Sequence, residues 1–346
     1  MDGDIQRRLA GIVPDLLRDD RDYRILGDAL RDFHDLCASV TGIRGDGSQN
    51  RAGDIFLPSG TAISPEYAAH TVFDTLRTRR FLRGLAGAIR TVRARQPDLA
   101  VHVLYAGCGP FATLALPLMH LPEFAAIRWT LLDIQPDSLA AARKLTRAAG
   151  FTERVHDFVL ADAAVYRHTG PPFQVLVTET MQNLLAGEPQ VAITLNLAPD
   201  LAPNGLLVPE RITIAAEVLA PAPETNDTEW ELDALEVALA GSPGATELGS
   251  VFDLDLAFAR RAESRESEAR DREIMPRRVA LPPYEPGARL RLKTKIIVHG
   301  SEILAEGNSP LCIPRVLHAW RENTNAKFME VSYYVGRNPG PRIRFL

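Results

Sequence analysis

Val103-Leu-Tyr-Ala-Gly107-Cys-Gly109-Pro110 decides the fold. An apolar run that ends in two glycines one residue apart reads as a buried strand delivering the chain into a tight turn. Residues 111–121 then read as a helix. The same grammar recurs downstream. Residues 128–132 form a second apolar strand closed by Asp133, after which Pro136 stands near the first position of a helix and Gly150 just past its last. Residues 155–160 make a third strand ending at Asp162. Phe173-Gln-Val-Leu-Val-Thr-Glu179 is a fourth that ends in an acid, and Glu188 opens a further helix reaching about residue 197. Strands alternating with helices at this spacing need crossover connections. They predict an α/β fold: a doubly wound, Rossmann-like parallel sheet.

Upstream, residues 5–17 and 23–40 carry helical apolar periodicity and give an N-terminal helical segment over 1–50. The stretch 42–58 reads as a linker or loop. Ser64-Pro65-Glu66 starts a third helical pattern that continues to Arg93. The sheet domain is expected over 51–205. Beyond Asn204-Gly205 the pattern turns β-rich without crossover helices, at 206–208, 212–218, 289–298 and 328–335. Residues 206–346 are therefore expected to form a mostly antiparallel, barrel-like domain. It carries a helical insertion at about 229–274, where 229–240 and 252–274 read as helices.

Composition narrows the function class. A formal charge of −5 gives no nucleic-acid signal, and Arg79-Arg80 and Arg260-Arg261 read as solvated helix faces. The three cysteines, Cys37, Cys108 and Cys312, are scattered without ligand spacing, which disfavours a disulfide framework or a metal site. No apolar stretch is long enough to span a membrane and no cleavable leader is visible, so a soluble, cytoplasmic protein without membrane partners is expected.

The glycine turn has the character of a ligand cradle: without side chains the backbone passes close to a bound group, and the helix start offers free N–H groups. Phe111 fills the turn and the third glycine of a dinucleotide fingerprint is missing, which disfavours a pyrophosphate ligand. Asp133 is placed to accept both hydroxyls of a ribose, or simply to meet the positive end of a helix dipole. Asp162 can take an adenine amino group or serve structure alone. The glycine pair Gly107 and Gly109, a ribose acid and an adenine acid together indicate S-adenosyl-L-methionine.

Beyond the fourth strand, the loop Thr180-Met-Gln-Asn-Leu-Leu-Ala-Gly187 separates Glu179 from Glu188. Two carboxylates at a strand's carboxyl end and a short loop away can converge on one small cation. A planar, permanently charged guanidinium suits such a fork best. The alternative reading has Glu188 beginning a helix before Pro189 and Glu179 facing solvent.

From about residue 67 to 215 the chain resembles the class I methyltransferases that use S-adenosyl-L-methionine, and within them the protein arginine methyltransferases. Asp74-Thr-Leu-Arg77-Thr78-Arg-Arg-Phe81 is similar to that family's pre-sheet helix, which implies that Arg77 binds the methionine carboxylate. The order Gly107, Gly109, Asp133, Asp162 follows its cofactor motifs. Glu179 and Glu188 have the spacing of its double-glutamate loop. Thr178-Glu179-Thr-Met181-Gln stands where the family has Ser-Glu-Trp-Met-Gly, implying a substrate contact for Met181. Asn204-Gly-Leu-Leu-Val-Pro209 resembles the turn into the family's β-barrel.

The resemblance implies a methyl transfer to a guanidino nitrogen, with Glu179 and Glu188 catalytic. Three departures bear on the acceptor. Ile55-Phe-Leu-Pro-Ser-Gly60 replaces the Tyr-Phe-x-x-Tyr start that folds over the cofactor. His318-Ala-Trp320 carries the residue types of the Thr-His-Trp loop with an extra residue between them, so His318 is only loosely implied as a substrate contact. The dimerisation arm has no counterpart at its usual place, and the N-terminal helices are assigned that role in an expected homodimer. A pocket lacking the usual closing loops suits free arginine or a small guanidino compound better than a protein tail. The arginine-, alanine- and proline-rich composition points the same way, to specialised metabolism in a high-GC bacterium. Peptide arginine, another amine, carboxylate or hydroxyl acceptor, use of the cofactor without methyl transfer, and a non-catalytic adenosyl-binding role stand as alternatives.

Overall fold

A computed structural model describes residues 2–19, 22–45, 51–97, 100–221, 245–261, 271–320 and 326–346. The chain opens with α1 (Asp2–Leu17) and α2 (Tyr23–Thr41). Asp22 starts α2 by accepting the N–H groups of Arg24 and Ile25, and Gly42 stops it in the left-handed region at φ 84°. Leu26, Leu30, Phe33 and Cys37 recur at helical spacing and are buried.

A hairpin follows, β1 (Ile55–Leu57) and β2 (Gly60–Ala62), inside the stretch that reads as a loop. The helical pattern from Ser64 is not continuous. It divides into α3 (Pro65–His70), a 3-10 turn at Thr71–Phe73, and α4 (Thr75–Arg95). Asp74 marks the break, with ψ 84°.

Next come β3 (His102–Ala106), α5 (Leu116–His120), β4 (Arg128–Asp133), α6 (Pro136–Ala148), β5 (Val155–Leu160), β6 (Phe173–Thr178), α7 (Gln190–Leu197) and β7 (Leu201–Val208). The strands order as β5-β4-β3-β6-β7, and every pairing is parallel. The order reverses between β3 and β6, the place where such sheets present ligands at their carboxyl ends. Three details differ from the sequence reading. The helix expected from Phe111 is confined to α5, because Ala112 turns the backbone left-handed at φ 43°. Glu188 lies in the loop ahead of α7 instead of opening it. Residues 206–208 pair with Val175–Val177 of β6 and so complete the parallel sheet; they do not open the C-terminal unit.

The first two helices pack on α4, α5 and α6, and Gln6 Nε2 donates to the carbonyl of Ala149 at 2.9 Å. Their apolar faces are therefore used within the chain's own core.

The remainder is β8 (Arg211–Leu219), β9 (Thr246–Asp255), α8 (Leu256–Arg261), β10 (Arg272–Ala280), β11 (Arg289–His299), β12 (Glu302–Leu304), β13 (Arg315–Ala319), β14 (Phe328–Val335) and β15 (Gly340–Phe345). One antiparallel sheet runs β12-β11-β8-β9 with β13 added on β11, and a second runs β10-β14-β15. Phe252 of β9 stacks on Tyr333 of β14 at 4.8 Å and bridges the two. The stretch 252–274 was expected to be helical for its charge. Within it residues 256–261 are helical, as the short α8, whereas 252–255 finish β9 and 272–274 open β10, where charged side chains line an exposed strand. The helix expected at 229–240 lies outside the described residues, as do 262–270. None of the described helices is long and apolar enough to cross a membrane.

The longest of these helices, α4, joins the two halves, touching β7, β11 and β12. A Cβ on Gly84 would stand 2.5 Å from Val298 Cγ1, so only glycine lets the helix lie this close to β11. Arg80 and Arg83 both reach Glu302, at 2.7 and 2.6 Å. Arg79 is 5% exposed, and its guanidinium lies over the ring of Tyr23. The pair Arg79-Arg80 is thus an inter-element contact and not a solvated face.

Across β8 and β11, Glu217 and Arg291 are register partners and form an ion pair, buried to 2% and 3% side-chain exposure. Lys293 Nζ adds a third member at 3.1 Å. Removing Glu217 takes from the buried Arg291 its closest acid and leaves it the more distant Glu306, at 3.3 Å. Glu217→Ala is expected to lower unfolding free energy by about 3–5 kcal/mol in urea titrations.

Candidate active site

At the carboxyl end of β3 the chain turns back on β4. The N–H groups of Gly107 and Cys108 both donate to the carbonyl of Leu132, at 2.8 and 3.1 Å. Gly107 and Gly109 adopt φ 73° and 65°, and a Cβ on Gly107 would lie 2.3 Å from Thr180 Cγ2. Gly109 N–H donates to Asp133 Oδ2 at 2.8 Å and Gln135 N–H to Oδ1 at 2.9 Å. Burial raises the carboxyl pKa of Asp133 against the opposing pull of these donors.

The turn floors a cleft of about 980 Å³ that is open to solvent. Arg77, Gly107, Gly109, Asp133, Asp162, Glu179 and Glu188 all line it. Residues that sit on five different elements or loops are thus brought to one surface. Asp162 follows β5, with its side chain accepting Ala164 N–H at 2.8 Å.

Sequence reasoning missed the wall opposite the sheet. The β1–β2 hairpin supplies Leu57, Thr61 and Ala62 to the cleft. Thr61 N–H donates to the carbonyl of Gly187 at 2.8 Å. Gln135 Nε2 holds the carbonyls of Gly53 and Ile63 at 2.8 and 3.0 Å. Gly60, at φ 136°, would place a Cβ 3.0 Å from the backbone of Gly187, Glu188 and Pro189. The turn signal Pro58-Ser59-Gly60 was visible in the sequence; the surface it closes against was not.

The acids occupy the inner end. Arg77 Nη2 donates to Glu179 Oε2, with side-chain exposures of 13% and 12%. The other oxygen, Glu179 Oε1, is buried and accepts no hydrogen bond from the described residues. Burial pushes Glu179 up to about 7 despite Arg77. Burial and the neighbouring Glu179 charge likewise push Glu188 up to about 7, while Arg77 and a hydrogen bond from Gln182 pull it down. For Arg77 burial acts to lower the pKa, but Glu179, Asp74 and Glu188 outweigh it and the net shift is upward. Gln190 Oε1 accepts both the N–H and the hydroxyl of Thr180, at 2.9 and 3.1 Å, fixing the loop between the acids. Chemically, a buried guanidinium is flanked by two carboxylates poised near neutrality, with one acceptor atom unused.

Two candidates stand elsewhere. Met181 is buried without being part of the cleft lining. His318 lies on β13, packed against Trp320 at 5.1 Å and Phe345 at 4.5 Å, likewise outside the lining.

No protein-family model matches the sequence, and no curated protein matches it. Solved structures do resemble it. One is the PRMT1 enzyme–prozyme heterotetrameric complex of Trypanosoma brucei with AdoHcy, at TM-score 0.47 and 11% identity over 80% of this chain and 91% of that one. Another is protein arginine methyltransferase 10 of Arabidopsis thaliana, at TM-score 0.48 and 10% identity over 75% of this chain and 84% of that one. At that distance the chemistry of the cleft rests on this chain's own residues.

The two glutamates have folded pKa values raised above the ordinary carboxylate value of 4.5. Their contribution to stability is therefore fully present below about pH 4.5 and is lost as pH rises through about 7. Glu188→Gln cannot ionise at that position and also relieves Glu179. Its unfolding free energy is expected to fall less steeply between these limits than the wild type's. At pH 8 it should exceed the wild type by on the order of a few kcal/mol, read by chemical denaturation at several pH values.

Proposed function

We propose that the chain is an S-adenosyl-L-methionine-dependent methyltransferase acting on a guanidino nitrogen, with free arginine or a small guanidino compound as acceptor. The observation that carries this reading is the shared cleft: the glycine turn with Asp133 at one end, and Arg77 with the Glu179–Glu188 fork at the other. Its ionisable lining has four carboxylates, Asp133, Asp162, Glu179 and Glu188, against the one guanidinium of Arg77. That imbalance favours cationic ligands, and both a sulfonium and a guanidinium are cations.

The residues fit the cofactor. Asp133 Oδ2 accepts Gly109 N–H and Oδ1 accepts Gln135 N–H, with the Ile134 N–H also acting on the carboxylate, and its remaining acceptor capacity faces the cleft, where a ribose diol would bind. Positive φ at Gly107 and Gly109 brings bare backbone to the same wall. Arg77 has further N–H donors besides the one given to Glu179, enough to take a ligand carboxylate as well. Bound there, S-adenosyl-L-methionine supplies a methyl group already activated by its positive sulfur.

Catalysis is then mainly placement and exclusion of water. A guanidinium is a weak nucleophile because its lone pairs are delocalised. Glu179 Oε1 and the Glu188 carboxylate, gripping two of its nitrogens, draw the positive charge toward themselves. They also orient a third nitrogen along one line of attack. One N–H proton must leave the acceptor during the reaction. A carboxylate held near pH 7 by burial is matched to accept it. The β1–β2 hairpin packed on Gly187 and Pro189 keeps water from the acid pair. The narrowed inner end of the cleft suits a small acceptor better than a folded chain. Assembly as a homodimer belongs to the same reading.

Mass spectrometry of the purified protein with S-adenosyl-L-methionine and either L-arginine or an arginine-rich peptide tests it. Free arginine gaining one methyl group while the peptide stays unmodified is the expected result. Methylation of the peptide alone would transfer the reading to protein substrates. No modified acceptor of either kind would refute the guanidino assignment. Glu179→Gln and Glu188→Gln are each expected to raise the barrier by at least about 3 kcal/mol, on the order of a hundredfold in kcat. In the wild type, kcat/KM should rise with pH and level off above about 7, as the acid pair becomes ionised.

A further inference from the structure

The two halves of the acid site come from elements far apart in sequence. Arg77 rides on α4, whereas Glu179 and Glu188 bracket the loop after β6. One short segment of the C-terminal unit, residues 309–313 between β12 and β13, touches both. On the first side, Ser309 Oγ donates to Asp74 Oδ2 at 2.6 Å and accepts Leu311 N–H at 3.1 Å. Asp74 immediately precedes α4, and its carbonyl accepts Thr78 N–H at 2.9 Å, so it fixes the helical turn that carries Arg77. On the second side, Asn183 Nδ2 faces three carbonyls of the same segment: Pro310 at 3.2 Å, Leu311 at 3.3 Å and Ile313 at 2.5 Å. Ser309 and Asn183 are only 6% and 8% exposed.

The loop does not choose this path by itself. Leu184 and Leu185 hold left-handed φ of 58° and 57°. For branched residues such conformations cost about 1–3 kcal/mol each and persist only where surroundings over-determine them. Here the surroundings are C-terminal. Leu184 N–H donates to Thr294 Oγ1 at 3.3 Å, Tyr333 Oη to the carbonyl of Leu185 at 2.7 Å, and Gly187 N–H to the carbonyl of Pro339 at 3.0 Å.

We propose that Ser309 and Asn183 are positioning residues: with segment 309–313 they form a clasp through which the C-terminal unit sets Arg77 against the two glutamates. The functional consequence rests on the guanidino reading above; the clasp itself does not. Neither residue lines the cleft, so neither touches a ligand. Losing the Ser309 hydroxyl frees the start of α4, and losing the Asn183 amide frees the loop. Either change moves the acid fork relative to Arg77.

The test uses the full chain with Ser309→Ala, Ser309→Thr and Asn183→Asp, the last placing carboxylate oxygens against three carbonyls. Amide hydrogen exchange is followed over residues 72–80 and 180–189, with 211–219 as the control for intact folding. Steady-state kinetics with L-arginine and the dissociation constant of S-adenosylhomocysteine are measured beside it. The expected result for Ser309→Ala and Asn183→Asp is faster exchange in one or both site segments, with the control unchanged. In the kinetics, kcat should fall about ten- to hundredfold for both; the S-adenosylhomocysteine constant should change little for Asn183→Asp, which frees only the loop, and weaken for Ser309→Ala, which frees the helix carrying Arg77. Ser309→Thr, which keeps the hydroxyl, restores both readouts. Unaltered exchange in both segments overturns the clasp whatever reaction the protein catalyses. Faster exchange with unaltered kcat overturns its positioning role. If the wild type binds S-adenosylhomocysteine but methylates no guanidino acceptor, that reading has failed instead, and the exchange result alone decides for or against the clasp.

Discussion

The ion pair between Arg77 and Glu179 is the contact around which the rest of the molecule is arranged. Glu179, Glu188 and Asp74 are carboxyl groups gathered in a poorly solvated place, and burial raises the pKa of each. Such a cluster is costly unless a cation is held within it. Arg77 is that cation, and its own charge is reinforced by the acids around it. The pair can form only if α4 is delivered to the carboxyl ends of the sheet. Gly84 permits the close approach to β11, and Glu302 grips Arg80 and Arg83 further along the same helix.

The pair is incomplete in one respect. Glu179 uses one oxygen on Arg77 and keeps the other buried without a donor among the described residues. An unsatisfied buried acceptor beside a second carboxylate is unfavourable in isolation and becomes favourable when a donor cation arrives. On the proposed function, stability is thereby given up to ligand affinity at the place where the strained Leu184–Leu185 backbone also lies. The parallel sheet supplies the strand ends, and the antiparallel unit supplies the hydrogen bonds that hold the loop. Neither half alone fixes the geometry.

Much of this was legible in the residues, and the reason differs from element to element. The strand–turn–helix alternation from Val103 to Glu179 follows from apolar runs and glycine or proline punctuation, local signals that survive without neighbours. That Gly107, Gly109, Asp133 and Asp162 share one cleft could be read because they stand at or just beyond strand ends, and strand ends of a parallel sheet converge. Residues 272–274 misled because charge suggests a solvated helix, whereas an exposed strand of an antiparallel sheet carries charge equally well. Arg79 misled for a related reason: a long side chain beside Tyr23 is buried by a partner that the sequence cannot place.

By itself the sequence determined the doubly wound sheet, the glycine turn after its first strand and the placing of acids at its strand ends, because periodicity and turn chemistry act over a few residues. Only the tertiary structure decided that Arg77 meets Glu179, that the β1–β2 hairpin walls the cleft, that residues 206–208 complete the parallel sheet, and that Ser309 and Asn183 join opposite sides of the site. Those contacts connect positions up to 235 residues apart. They arise from packing two sheets against one shared helix, which no local pattern encodes.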